Sequence, residues 1–182
     1  GKKVKIKTPK DAVELGIGYL SEDRKRYGLC LNLSITDNTI MSSIGKLFKG
    51  PFVNEAVADK ASEEYIEKIR TKTPSTKTKV GSLSGGNQQK VVISKWLLRD
   101  CDILIFDEPT KGIDVGAKSE IYKLMNQLAA QGKSIIMISS EMTEILRMSD
   151  RVIVMCEGKK TAEIDIAEAS QEKIMHAATR AV

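Results

Sequence analysis

The chain predicts an α/β fold, a parallel sheet flanked by helices with an inserted α-helical subdomain. Three observations predict it. From position 103 onward, short apolar runs alternate with helical patterns, the order that builds a parallel sheet covered by helices. Two of these runs, ILIF at 103–106 and IIMIS at 135–139, read as strands buried on both faces, as central parallel strands are. The block 34–98 has a helical pattern and lies between strands, which marks it as a separate subdomain.

The elements follow in chain order. Val4 to Lys7 alternates and reads as a short strand. Thr8-Pro9 offers a cap and a first-turn proline for a helix ending near Gly16. Ile17 to Leu20 reads as a strand, and SEDRKRYGL at 21–29 as a loop or a helix start. From Ser34 to about Arg70 the pattern is helical, broken by Gly45, Gly50 and Pro51. TPSTKTKVGS at 73–82 is a loop, and a helix runs from Ser84 to about Arg99. The second half then reads as strand 103–107, helix Val115 to Ala130, strand Ser134 to Ser139 and helix Glu141 to Met148. Strand Arg151 to Met155, a turn at Glu157-Gly158 and a helix over Gln171 to Thr179 complete it. There are no internal repeats and no low-complexity tract.

Composition narrows the class. The 182 residues suit one domain, or one domain with a subdomain. Hydrophobic residues make up 41% and charged residues 29%, the balance of a soluble globular chain with a real core. Aromatics are only 4%, so base-stacking platforms for single strands are scarce. The net charge of +5 comes from scattered Lys and Arg, which reads as a solvated surface. Cys30, Cys101 and Cys156 lie far apart, with no C-x-x-C spacing, which predicts free thiols in a reducing compartment. No apolar stretch approaches the roughly 18 residues of a membrane span. The start, GKKVKIKTPK, has no apolar core of a signal peptide and no initiator Met. It predicts a fragment of a longer chain.

The chemistry concentrates around DILIFDEPTKGID at 102–114. An apolar run ends in two carboxylates, Asp107 and Glu108. Such a pair at a strand end suits holding Mg²⁺ and positioning a water for phosphate hydrolysis. The expected partner is a phosphate loop of the form G-x-x-x-x-G-K-[ST], and the chain does not contain one. QGKS at 131–134 is a decoy: Gln127 stands where the first glycine belongs, and the segment leaves a helix for a strand. Gly132 reads instead as a helix C-cap. LSGGNQQK at 83–90 is more informative, because Ser84 and two glycines open a helix. Bare N–H groups at a helix start favour an anion, and glycines let it approach the backbone.

LSGGNQQK followed by ILIFDEPTKGIDVGAK resembles the ABC-transporter ATPases: signature motif, Walker B strand and D-loop in order. With SEDRKRYGL upstream and SSEMTEILRMSDRVIVM downstream, the chain is similar to the second nucleotide-binding half of the monosaccharide importers of the ribose, galactose and xylose type. The resemblance implies a partial P-loop NTPase core, with ATP and Mg²⁺ as ligands. In that reading residues 1–22 belong to the core up to the Q-loop. Residues 23–98 form the helical subdomain with the signature, and 99–182 return to the core with Walker B, D-loop, switch region and last helix. Asp107 resembles the aspartate that supports Mg²⁺ through water, and Glu108 the general base. Asp114 resembles the D-loop residue that touches the opposite half. Leu83, Ser84, Gly85, Gly86 and Gln88 fall in the signature, which in the family binds the nucleotide held by the other half.

Two positions depart from the common pattern. Glu22 stands where the Q-loop usually has Gln, and Ser140 stands at the switch position, where His is usual. The lone His176 lies in the last helix. Such changes are typical of the second half in this importer group. The family's P-loop lies N-terminal to the strand that here begins near Val4, so the resemblance implies a chain that starts downstream of it and is inactive alone. It implies as partners the first ATP-binding half of the same chain, the membrane permease subunits through the loop after Glu22 and the helices from Ser34 to Arg70, and, indirectly, a periplasmic or extracellular sugar-binding protein. It implies no nucleic acid, and a place at the cytoplasmic face of the membrane. The alternatives are an ABC-type module acting on nucleic acid and a non-catalytic interaction domain.

Overall fold

The structure, a computed structural model, describes residues 3–179. These fall into two compact units that divide between Ile138 and Ser139.

The first unit is built on a parallel sheet of β1 (Ile17–Leu20), β2 (Ile103–Asp107) and β3 (Ser134–Ile138), in the order β1-β2-β3. Leu20 stands beside Phe106, and Phe106 beside Met137. Leu20, Leu104 and Phe106 are fully buried. The expectation of burial on both faces fails for β3, whose Ile136 and Ile138 are about half exposed, and is met only in part by β2, which buries Leu104 and Phe106 but leaves Ile103 and Ile105 half-buried. β3 is an edge of this sheet among the described residues, and α6 packs against it. The strand expected at Val4 to Lys7 does not form: among the described residues no strand pairs with it, and Val4 and Ile6 are exposed. An alternating pattern makes a strand only where an edge accepts its backbone hydrogen bonds.

The helices start where capping predicts. α1 (Pro9–Glu14) opens with a capping box: the Asp11 N–H donates to the Thr8 hydroxyl, and the Thr8 N–H donates to the Asp11 carboxylate. α2 (Ile35–Ile40) opens with the same device between Ser34 and Asp37. SEDRKRYGL forms a single π-helical turn at Arg24–Gly28. α3 (Ile44–Leu47) is short, and α4 (Glu55–Ile69) closes on Arg70 in the left-handed conformation. α5 (Gly85–Leu98) and α6 (Val115–Ala130) follow, the latter with Gly132 at its C-terminal turn.

α5 is the centre of this unit. It packs on α2 and α4, and also on β1 and α6. A helix enclosed this way must satisfy the polar groups it buries. Lys90 donates to the Arg70 carbonyl at 2.9 Å and pairs with Glu120 at 2.6 Å, tying the end of α4 to α6. Lys95 donates to the Gly28 carbonyl at 2.6 Å. Burial pushes the Lys95 ammonium below the ordinary lysine range. At its first turn α5 crosses α6 closely, where Gly86 faces Ala117.

The second unit holds α7 (Met142–Met148), β4 (Arg151–Cys156), β5 (Lys159–Asp165) and α8 (Gln171–Thr179). Val152, Val154, Ile174 and Ala177 form its core, with Met142, Ile145 and Leu146 packed against them. β4 does not extend the parallel sheet. It pairs antiparallel with β5, a strand the sequence reading missed. KKTAEID carries too few apolar residues to announce a strand. The turn at Glu157-Gly158 was the available signal, because both residues have positive φ, 48° and 78°. Two successive positive φ values make the tight turn that suits a hairpin. Among the described residues no helix is long and apolar enough to cross a membrane.

Two stability outcomes follow. Leu104→Ala empties the centre of β2 and is expected to cost about 2–5 kcal/mol in a urea melt. Gly86→Ala would place a methyl 2.7 Å from the Ala117 Cβ, an overpacking expected to cost about 1–3 kcal/mol. The double variant Gly86→Ala/Ala117→Gly is expected to recover part of that loss in the same assay.

Candidate functional site

The site grows from the end of β2. Asp107 is its last residue, and Glu108 follows with φ +46°. A left-handed backbone at a non-glycine residue costs about 1–3 kcal/mol and persists only where neighbours hold it. Here the Glu108 N–H donates to the Ile138 carbonyl at 2.9 Å, and the Glu108 carbonyl accepts from the Lys111 N–H at 3.1 Å. Both carboxylates are half-buried. The Tyr19 hydroxyl, on the neighbouring strand, donates to Asp107 Oδ2 at 2.5 Å. That bond, with burial and the nearby charge, raises the phenol above its ordinary pKa.

Glu22 reaches the same turn from the end of β1. Its carboxylate pairs with Lys111 Nζ at 2.5 Å, and the pair raises the Lys111 ammonium above its usual range. Arg24 Nη1 donates to the Lys111 carbonyl at 3.0 Å. A Cβ on Gly85 would lie 2.8 Å from Arg24 Nη2 and 3.2 Å from the Gly112 carbonyl. The guanidinium therefore sits between the start of α5 and the turn after Glu108. The residues Tyr19, Arg24 and Lys111 had no role in the sequence reading. Their signal was chemical type alone, since the partners lie 87 to 89 positions away in the chain.

The signature segment shows what its residues touch. Ser84 caps α5 by position without a side-chain capping bond, and its hydroxyl accepts from Asn87 Nδ2 at 3.0 Å. Asn87 Oδ1 accepts from the Lys72 N–H at 2.9 Å. Leu83 is half-buried. Gln88 is only 3% exposed and donates to the Val80 carbonyl at 3.2 Å. In this structure Gly85 and Gly86 give room to Arg24, Gly112 and Ala117 of the chain itself. Asp114 caps α6, accepting from the Ala117 N–H at 2.9 Å. Ser84, Gly86 and Asn87 face Asp114, Gly116 and Ala117 across a cleft of about 260 Å³. Lys72 and Glu120 complete its rim.

Ser140 lies in the second unit and is exposed. The neighbouring Ser139 hydroxyl donates to Glu144 and accepts from the Glu141 N–H at 3.0 Å. His176 is exposed on α8.

Among the described residues no three His, Cys, Asp or Glu side chains converge as a metal cage. Mg²⁺ is commonly held by one or two carboxylates with waters and phosphate oxygens filling its shell. Asp107, oriented by a phenol donor at the end of a rigid strand, and Glu108 beside it fit that donor set.

The ABC transporter family profile matches residues 2–111. The chain is 56% identical, over 181 residues, to a Burkholderia cenocepacia protein provisionally named a ribose/galactose/methyl galactoside import ATP-binding protein. It is 53% identical over 179 residues to the xylose import ATP-binding protein XylG of Thermoanaerobacter pseudethanolicus. These alignments cover 99% and 98% of the chain but only 35% of each relative, so the chain spans about a third of their length. In fold it is similar to an ATP-binding cassette of an ABC transporter solved in its ADP conformation. The TM-score is 0.75 at 21% identity, covering 97% of this chain and 73% of that one. The profile covers more than half of the chain and takes in the signature turn and the carboxylates at the end of β2; the chain belongs to the ABC transporter family.

Proposed function

We propose that the chain is part of the ATP-binding protein of a monosaccharide importer, from its second nucleotide-binding half. The observation that carries this reading is the cleft at which the signature turn, Ser84 to Asn87, meets the Asp114 turn. Two helix starts, those of α5 and α6, border it, so backbone N–H groups and the positive ends of two helix dipoles are near one open space. A nucleotide presented by the first half would place its phosphate against Ser84, Gly85 and Gly86, with Leu83 and Gln88 shaping the turn from behind. Asp114 would meet the opposite half at the rim.

On the other side of the same turn, Glu108 would act as general base for the attacking water. Its left-handed backbone is held at the strand end by hydrogen bonds with Ile138 and Lys111. Asp107 would support Mg²⁺ through water, and the ion supplies charge neutralisation at the phosphates when bound. Glu22 serves in this half as a strut to Lys111, because its carboxylate is already paired. Ser140 at the switch position offers no imidazole to a phosphate. Together these two features make this the weaker hydrolytic site of the two halves.

The block from 23 to 98 would form the arm that meets the permease. Leu33, Met41, Ile44, Val53 and Val57 are exposed along it, and Phe52 is 85% exposed. This would set the protein at the cytoplasmic face of the membrane, with the sugar delivered by a separate binding protein.

In a full-length protein whose first-half general base is already disabled, Glu108→Gln is expected to lower the remaining ATP turnover at least tenfold while nucleotide binding stays within a few-fold of the parent. Unchanged turnover would remove Glu108 from the chemistry. The isolated chain, which carries no G-x-x-x-x-G-K-[ST] loop, is expected to bind no fluorescent ATP analogue with Mg²⁺ up to millimolar concentration. Micromolar binding would show that another element cradles the phosphates.

A further inference from the structure

We propose that Tyr19 is the positioning residue for Asp107, orienting the carboxylate that supports the metal. The inference rests on the reading of Asp107 as that carboxylate. It begins with strand register. Tyr19 stands beside Ile105 in the parallel pair of β1 and β2. Side chains alternate along a strand, so Tyr19, Ile105 and Asp107 share one face while Leu20, Leu104 and Phe106 are buried on the other. Asp107 is thus two residues beyond the Tyr19 register position, within reach of a tyrosine and of few shorter side chains. The phenol covers that distance and donates to Oδ2 at 2.5 Å.

The bond joins a neutral donor to a carboxylate, the stronger kind of hydrogen bond. It involves two adjacent strands of one sheet, so the donor moves with the acceptor. Tyr19 remains 48% exposed, so a hydroxyl there is not demanded by burial. What the hydroxyl does is hold one carboxylate oxygen in a set direction, leaving the other orientation-locked for a metal or a metal-bound water. Partners that orient a metal-binding carboxylate typically change metal affinity about 10–100-fold when lost.

The test uses the full-length protein with Mn²⁺ as probe. Free Mn²⁺ is measured by electron paramagnetic resonance during titration with saturating non-hydrolysable ATP analogue. Asp107→Asn defines the class of sites that depends on this carboxylate. Tyr19→Phe is expected to weaken that class about tenfold while the metal-free melting temperature stays close to wild type. If Asp107→Asn removes a class of sites and Tyr19→Phe leaves it within twofold of wild type, Tyr19 does not position the metal and the proposal falls alone. If Asp107→Asn itself leaves Mn²⁺ binding intact, the assignment of Asp107 falls and takes the proposal with it. A Tyr19→Phe protein that loses thermal stability as much as metal affinity would mark the bond as structural and also overturn it.

Discussion

The enclosure of α5 is the constraint on which the first unit depends. A helix surrounded by α2, α4, β1 and α6 has no solvent-facing side for its lysines. Lys90 and Lys95 are therefore each turned onto a backbone carbonyl, and Lys90 also onto Glu120. Leaving such a charge buried and unpaired costs several kcal/mol. The pairing makes the helix a rigid post between the helical block and the sheet. Its first turn then carries the signature residues to a defined place, because Gly86 allows the close crossing with Ala117.

That post and the end of β2 are joined by one turn. Lys111 is held on both sides, its ammonium by Glu22 and its carbonyl by Arg24. Arg24 also fills the space over Gly85. The glycines of the signature thus have two explanations that do not compete. They admit the chain's own neighbours in this structure, and the family resemblance assigns the same helix start to an anion. A shift of the turn after Glu108 would be felt at Gly85 through the same guanidinium. Mechanical continuity between the carboxylates and the signature is built from one arginine and one peptide carbonyl.

The second unit shows where pattern reading misleads. Arg151 to Met155 looks like another parallel strand after a helix, yet it turns back on itself at Glu157-Gly158. β5 is charged, and its pairing is a backbone matter that side-chain hydrophobicity does not report. The lost strand at Val4 to Lys7 is the opposite error, since the alternation is present and the pairing edge is not. β3 was read as buried because Ile135 to Ile138 is uniformly apolar, but composition does not state whether a strand lies at an edge.

The sequence by itself determined the local features. A cap and a first-turn proline placed α1, helical patterns placed α2, α6 and α8, and the motif order placed Asp107 and Glu108 at a strand end with Ser84 at the start of α5. These depend on neighbours within a few positions, so the chain carries them openly. Only the tertiary structure decided which groups those residues meet. Tyr19 on Asp107 spans 88 positions and Arg24 on Lys111 spans 87. Such contacts are set by strand register and by the crossing of α5 over α6, which fix distances no local rule contains. The physical reason is that hydrogen bonds and packing act over a few ångströms in space, whatever the separation along the chain.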